Sequence, residues 1–252
     1  MKRNIKERLN KGENLVGMFI TSTDPCLTEV AAITGYDFVV IDTEHGPLGP
    51  VEVVNHIRAA EAKGMTPICR TTNSENTTIL RLLDVGSHGV QVPQVNEMET
   101  ARRVVAAAKY HPKGIRGMAL PRGSDYGLGD LMESFRKANE ETLVILHCET
   151  KASLEIVDEM AALEEVDVVF LGPFDMSQSL GIPGQTDHPL IQDAVERVLH
   201  ACKKHEKAAG IFAANGKQAK ERMDLGFQYV TINVDLSLLG QKLKAEREEA
   251  KI

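Results

Sequence analysis

Carboxylates, imidazoles and a guanidinium gather in this chain just past apolar runs. The stretch VVIDTEHGPLG, residues 39 to 49, ends a buried-looking run in Asp42, Glu44 and His45. PICRTT places Arg70 within another such run, where a guanidinium demands an anionic partner. LVILHCET supplies His147 and Glu149, and VVFLGPFDMS supplies Asp175. Glu149 and Asp175 follow consecutive runs, so on neighbouring strands their carboxylates converge. Two carboxylates with water and substrate oxygens suit a hard cation such as Mg2+ or Mn2+. Gly172 and Pro173 let the backbone turn closely past the strand, where exposed amides can bind a carboxylate. Cation, arginine and amides together point to a 2-oxo acid. Each acid also has a plainer use. Asp175 and Asp235 taken singly suit helix N-caps, and Asp84 in RLLDVGSHG sits at a helix end, where a lone acid is ordinarily solvated surface.

Eight short runs rich in Val, Ile and Leu must position these groups: residues 14–21, 37–44, 66–72, 89–95, 142–150, 166–172, 208–214 and 229–235. Between them lie amphipathic stretches such as VEVVNHIRAAEAKG and DAVERVLHACKKHEK, with apolar residues three and four apart. Gly64, Gly86 and Gly226 stand where left-handed helix C-caps are needed. Strands apolar on both faces and alternating with helices predict an α/β fold, a closed parallel (β/α)8 TIM barrel spanning residues 1–252 as a single domain. No GxGxxG follows the first strand, which disfavours an open doubly wound sheet. In such a barrel the active site is built at the C-terminal strand ends, where the polar groups fall: Asp42, Glu44, His45, Arg70, Gln94, His147, Glu149, Asp175, Asn233 and Asp235. One segment breaks the rhythm: HPKGIRGMALPRGSDYGLGDLMESFRKANEE is too long for one helix and is expected to arch over one end of the barrel.

Composition narrows the class. The chain has 252 residues, is 42% hydrophobic and 26% charged, and carries a net charge of −7, which argues against nucleic acid or an anionic membrane as partner. No run approaches the roughly 20 apolar residues that span a bilayer. The N-terminus lacks a signal-peptide core, and Cys26, Cys69, Cys148 and Cys202 form no CxxC pair, so a reducing cytoplasm is expected. No lysine lies within the eight runs, and Lys151 just past the fifth is the nearest, which disfavours a Schiff-base aldolase.

Together DFVVIDTEHGPLG, PICRTT, ILRLLDVGSHGVQVPQV, YHPKGIRGMA, LHCETKASLEIVDEMAALEEVDVVFLGPFDMSQSLGIPGQTDHP and GIFAAN resemble the HpcH/HpaI family of divalent-metal-dependent, class II 2-oxo-acid aldolases, from about residue 10 to residue 240. The resemblance implies a barrel of the phosphoenolpyruvate/pyruvate-domain type and reversible retro-aldol cleavage of a 4-hydroxy-2-oxo acid to pyruvate and an aldehyde. It implies that Glu149 and Asp175 hold one divalent metal ion, Mg2+ or Mn2+ first, with Co2+ as an alternative. The pyruvate carboxylate would meet amides around Phe174 and Asp175, in the turn made by Gly172 and Pro173, and Arg70 the keto oxygen. His45 would be the base, an imidazole being the side chain suited to proton transfer near neutral pH. Asp84 would support it from an adjacent subunit, and Asp42 and Glu44 would orient the site and its water.

His147 stands where the family commonly has glutamine, Phe19 where tryptophan is frequent, Phe174 where alanine is usual, and Phe212 where a smaller aliphatic residue is common. These departures are expected to line the pocket and to shift the choice of aldehyde. The wider superfamily leaves a CoA-thioester lyase of the malyl-CoA or citryl-CoA type as an alternative, and a non-catalytic 2-oxo-acid binder on the same fold as another. The resemblance further implies a homohexamer, a trimer of dimers, exchanging the C-terminal helix LSLLGQKLKAEREEAKI.

Overall fold

The computed structural model describes residues 4–250. Eight parallel strands close a barrel in sequence order. They are β1 (Leu15–Ile20), β2 (Phe38–Asp42), β3 (Thr66–Arg70), β4 (Gly89–Val92), β5 (Leu143–Cys148), β6 (Val168–Leu171), β7 (Ala208–Ala213) and β8 (Tyr229–Val234). Each lies within its predicted run, and the runs' last residues have left the ladder to form the rim that carries the polar groups. Gly64, Gly86 and Gly226 all have positive φ past helix ends, as expected.

Alternation along the strands sorts the core into two layers. Phe19, Phe38, Val40, Ile68, Leu143, Ile145, Val168, Phe170 and Tyr229 fill the barrel. Val39, Ile41, Cys69, Val90, Val92, Val144, Leu146, Val169 and Ile211 face the surrounding helices. Gly17 of β1 makes room for the interior: a Cβ there would lie 2.1 Å from the Phe38 ring, which stacks on Tyr229 at 4.0 Å. The short helix Ile5–Asn10 sends Ile5 and Leu9 into this inner cluster and closes the N-terminal mouth.

The long segment after the helix Met98–Ala108 arches over that same N-terminal end, away from the predicted site. Its Arg122 bonds the Val85 carbonyl and pairs with Glu61, while Gly123 lies against the Leu83 carbonyl. Buried Lys109 donates to the carbonyls of Asn139 (2.9 Å) and Thr142 (2.8 Å), fastening the end of the helix Leu131–Glu141. Ile115, Met118, Leu120 and Leu128 of this segment are exposed.

The last helix, Asp235–Glu249, does not seat its apolar stripe on the barrel: Leu236, Leu239 and Leu243 are all exposed. No described helix is long and apolar enough to cross a membrane.

Candidate active site

The register of β2 and β3 sets the first half of the site. Asp42 lies directly opposite Arg70, so the carboxylate grips the guanidinium side-on, with Nε donating to Oδ1 at 2.9 Å and Nη2 to Oδ2 at 2.6 Å. Arg70 Nη1 reaches Glu44 Oε2 at 3.1 Å, and the guanidinium covers the Phe19 ring face at 4.6 Å. Burial works against the charge of Arg70, but Asp42, Glu44 and Glu149 outweigh it and raise its pKa. A bidentate, nearly buried pair of this kind fixes a planar donor fork in one orientation.

The same Asp42 shapes the turn that follows. Its Oδ1 accepts from the backbone N–H of Glu44 (3.1 Å) and His45 (3.3 Å), an Asx-type turn that presents both side chains at the rim. Gly46 completes it, because a Cβ there would come 2.5 Å from the Asp42 carbonyl oxygen. The His45 side chain is 66% exposed, with Nε2 3.8 Å from Glu44 Oε2. Burial raises the Glu44 pKa, with Glu149 adding to the rise and Arg70 opposing it.

Across the mouth Glu149 follows β5. Its residue is 2% exposed, and each oxygen holds one donor: Oε1 accepts from the Gln94 backbone N–H at 2.7 Å, and Oε2 from His147 Nδ1 at 2.6 Å. Burial alone would raise its pKa; His147, the Gln94 amide and Arg70 instead hold it below the ordinary glutamate value. Gln94 aims its amide from a left-handed backbone, φ +56°, an unfavourable state for a side chain longer than glycine's, here kept at the rim of the site.

Behind Glu149 runs a buried relay. His147 Nδ1–H donates to Glu149, His147 Nε2 accepts from Gln91 Nε2 at 2.8 Å, and Gln91 Oε1 accepts from Tyr229 O–H at 3.1 Å. In this arrangement the ring proton sits on Nδ1, facing Glu149, and Nε2 faces Gln91. This corrects the expectation that His147 lines the pocket: the side chain points into the barrel, is 1% exposed, and stacks on Phe170 at 4.9 Å. Because β5 alternates inward and outward, position 147 falls in the interior row with Leu143 and Ile145. Gln91 and Tyr229 escaped notice in the sequence, where they read as ordinary members of buried runs.

Gly172 joins Glu149 to Asp175. A Cβ on Gly172 would stand 3.1 Å from Glu149 Oε2 and 3.7 Å from Asp175 Oδ2, so the missing side chain leaves a cradle bordered by both carboxylates. Pro173 opens the helix Pro173–Ser179, which puts Asp175 in its first turn. Among the described residues no three His, Cys, Asp or Glu side chains stand together as a metal cage. Glu149 and Asp175 bring two carboxylates to this cradle, a donor type that suits a hard divalent ion completing its shell with water.

Phe19, Phe212 and Phe174 form the facing wall, with ring centroids 6.3 Å apart for the first two and 6.0 Å for the last two. Asn233 and Asp235, polar rim residues beside it, serve the frame. Asp235 accepts from the N–H and hydroxyl of Thr21 and from the N–H of Ser22 at 2.9–3.0 Å, and Asn233 bonds the Ala214 carbonyl.

The family model for HpcH/HpaI aldolase/citrate lyase matches residues 15–241. The chain belongs to this family. It is 32% identical over 238 residues, 94% of this chain and 89% of the relative, to a 2-keto-3-deoxy-L-rhamnonate aldolase of Salmonella paratyphi B. A family protein from Burkholderia cenocepacia superposes with a TM-score of 0.92 at 30% identity, covering 97% of this chain and 98% of the other. The citrate synthase SbnG superposes at 0.89 with 32% identity over 98% and 96% of the two chains. Membership makes this chain a lyase of the aldolase type.

Asp84 of this HpcH/HpaI member, expected to act from an adjacent subunit, lies away from the site of its own chain. Asp84 is the last residue of the helix Asn76–Asp84, which returns from the C-terminal end of β3 to the N-terminal end of β4. It therefore sits at the opposite end of its own barrel, bonded to Arg116 at 2.8 Å. The remaining histidines also serve the frame where their partners are known: His56 meets Thr28, His88 meets Glu61, and His205 meets Asp158.

Proposed function

We propose that the site catalyses reversible retro-aldol cleavage of a 4-hydroxy-2-oxo acid to pyruvate and an aldehyde, with one divalent ion, Mg2+ or Mn2+, at Glu149 and Asp175. The observation that carries the reading is the cradle at Gly172, bordered by two carboxylates and facing an arginine locked by Asp42. When bound, the ion supplies Lewis acidity toward the negative charge that develops on the 2-oxo oxygen.

The chain's own groups do the rest. Arg70 has five N–H donors and directs three at Asp42 and Glu44, which leaves two for the substrate's oxo oxygen. His45, exposed at the rim with Glu44 beside it, takes the proton of the 4-hydroxyl as the C3–C4 bond breaks, and returns it in the reverse direction. First-turn backbone amides at Phe174 and Asp175, beside Gly172 and Pro173, orient the carboxylate. Asp84 joins the site only if a neighbouring subunit delivers it, consistent with a hexamer of exchanged C-terminal helices whose leucines are covered by a partner.

The test is pyruvate release from a panel of 4-hydroxy-2-oxo acids by EDTA-stripped protein, then after Mg2+ or Mn2+ is restored. Release that ignores EDTA removes the metal from the reading. The likeness to a citrate synthase favours a second reading, carbon–carbon chemistry on a citrate-type or CoA-thioester substrate. Cleavage of malyl-CoA or citryl-CoA in place of the 4-hydroxy-2-oxo acids would select it.

A further inference from the structure

Both oxygens of Glu149 are held from the β4 side of the barrel. Oε1 accepts the backbone N–H of Gln94, just past the end of β4, at 2.7 Å. Oε2 is held at one remove: Gln91 on β4 donates to His147 Nε2 at 2.8 Å, and His147 Nδ1 donates to Oε2 at 2.6 Å. One donor on each oxygen fixes the plane of the carboxylate and leaves each oxygen a further lone pair for a cation.

Gln91 is held in turn. It is fully buried, as is Tyr229, whose hydroxyl donates to Gln91 Oε1 at 3.1 Å. The Tyr229 ring stacks on Phe38 at 4.0 Å and stands edge-on to Phe170 at 6.1 Å, and Phe170 stacks on His147 at 4.9 Å. His147, Phe170, Tyr229 and Gln91, from β5, β6, β8 and β4, thus close a ring of contacts inside the barrel. Packing alone needs no amide at position 91, and a buried amide costs free energy unless its groups are paired. What this amide supplies is a donor aimed at His147 Nε2, which leaves the ring proton on Nδ1, facing Glu149.

Resting on the reading above that Glu149 holds the divalent ion, we propose that Gln91 and Tyr229 are positioning residues for that ion. They act through His147, which holds Glu149 Oε2 in one orientation, and are not ligands themselves. The Gln94 amide holds the other oxygen independently of them. Loss of either residue therefore weakens the ion without abolishing its site.

The experiment is calorimetric titration of Mn2+ into EDTA-stripped protein, with urea unfolding of the same samples, for Gln91→Leu, Tyr229→Phe and the double variant. Gln91→Leu leaves His147 Nε2 and the Tyr229 hydroxyl unpaired, so affinity and stability fall together. The double variant also removes the hydroxyl, which relieves one unpaired group and should return part of the urea midpoint while Mn2+ binding stays weak. The expected Mn2+ Kd is about tenfold or more above the parent's in Gln91→Leu and in the double variant, with a smaller rise in Tyr229→Phe. In a His147→Phe background Gln91→Leu should change the Kd by less than about twofold, because its route to Glu149 is already cut. A Kd in Gln91→Leu within about twofold of the parent's overturns the proposal. So does an affinity that recovers with the midpoint in the double variant, which reduces both residues to packing. A full further loss in the His147→Phe background overturns the route through His147. Parent protein that binds no Mn2+, or binds it no better than Glu149→Ala does, overturns the metal reading itself and this inference with it.

Discussion

His147→Phe is the sharpest perturbation of the metal cradle. Phenylalanine keeps a ring of similar size in the stack on Phe170, 4.9 Å away, but removes two hydrogen bonds at once. Glu149 Oε2 loses a donor at 2.6 Å and Gln91 Nε2 an acceptor at 2.8 Å, both buried. An unsatisfied buried polar group costs about 1–3 kcal/mol, so the two together cost roughly 2–6 kcal/mol of stability. Loss of the group that orients a metal-binding carboxylate typically weakens the metal about 10- to 100-fold. Titration calorimetry of Mn2+ into EDTA-stripped protein should show that weakening in His147→Phe, beside a lower midpoint in urea. His147→Gln, which retains an amide donor, should recover much of both. A Mn2+ Kd for His147→Phe within twofold of the parent would refute the claim that the relay positions Glu149.

Asp42→Asn leaves an amide facing Arg70 Nη2, donor against donor, in a buried pair. Breaking such a pair costs about 3–5 kcal/mol, which should appear as a midpoint lowered by roughly 6 °C or more with pyruvate formation largely lost. Gly172→Ala fills the cradle at a backbone conformation alanine tolerates, φ −94°, so Mn2+ affinity should fall by calorimetry while the circular dichroism spectrum is kept. At the N-terminal face, His88 and Arg122 overcome the effect of burial on Glu61 and lower its pKa from 4.5 to about 2. A carboxylate with a depressed folded value contributes stability that is full above about pH 4.5 and is lost as pH falls toward 2. Glu61→Gln should therefore flatten the acid limb of stability between those values in denaturation curves.

How much of this was legible beforehand varies with the kind of signal. The eight strands stood out because both faces of a parallel barrel strand are buried, giving unbroken Val, Ile and Leu runs. The same property hid the relay, since a run apolar on both faces does not show which residues point inward. Position 147 therefore reads as pocket wall in the sequence, and Gln91 and Tyr229 as ordinary members of buried runs. Asp42 and Arg70 were visible as charges in apolar context, but only the β2–β3 register shows that they face each other. The segment after residue 110 reads as an arch over an unspecified end of the barrel, because helix direction places it and composition does not. Leu236, Leu239 and Leu243 announced a helix with an apolar face, and their exposure shows that this face is not spent on its own barrel.

The most direct test of the central claim is pyruvate formation from 4-hydroxy-2-oxo acids by protein stripped with EDTA and reloaded with Mn2+ or Mg2+, run beside Glu149→Ala and His45→Ala. The account predicts cleavage that vanishes on stripping, returns with the ion, and is lost in both variants. Cleavage that survives stripping, or persists in Glu149→Ala, would contradict it.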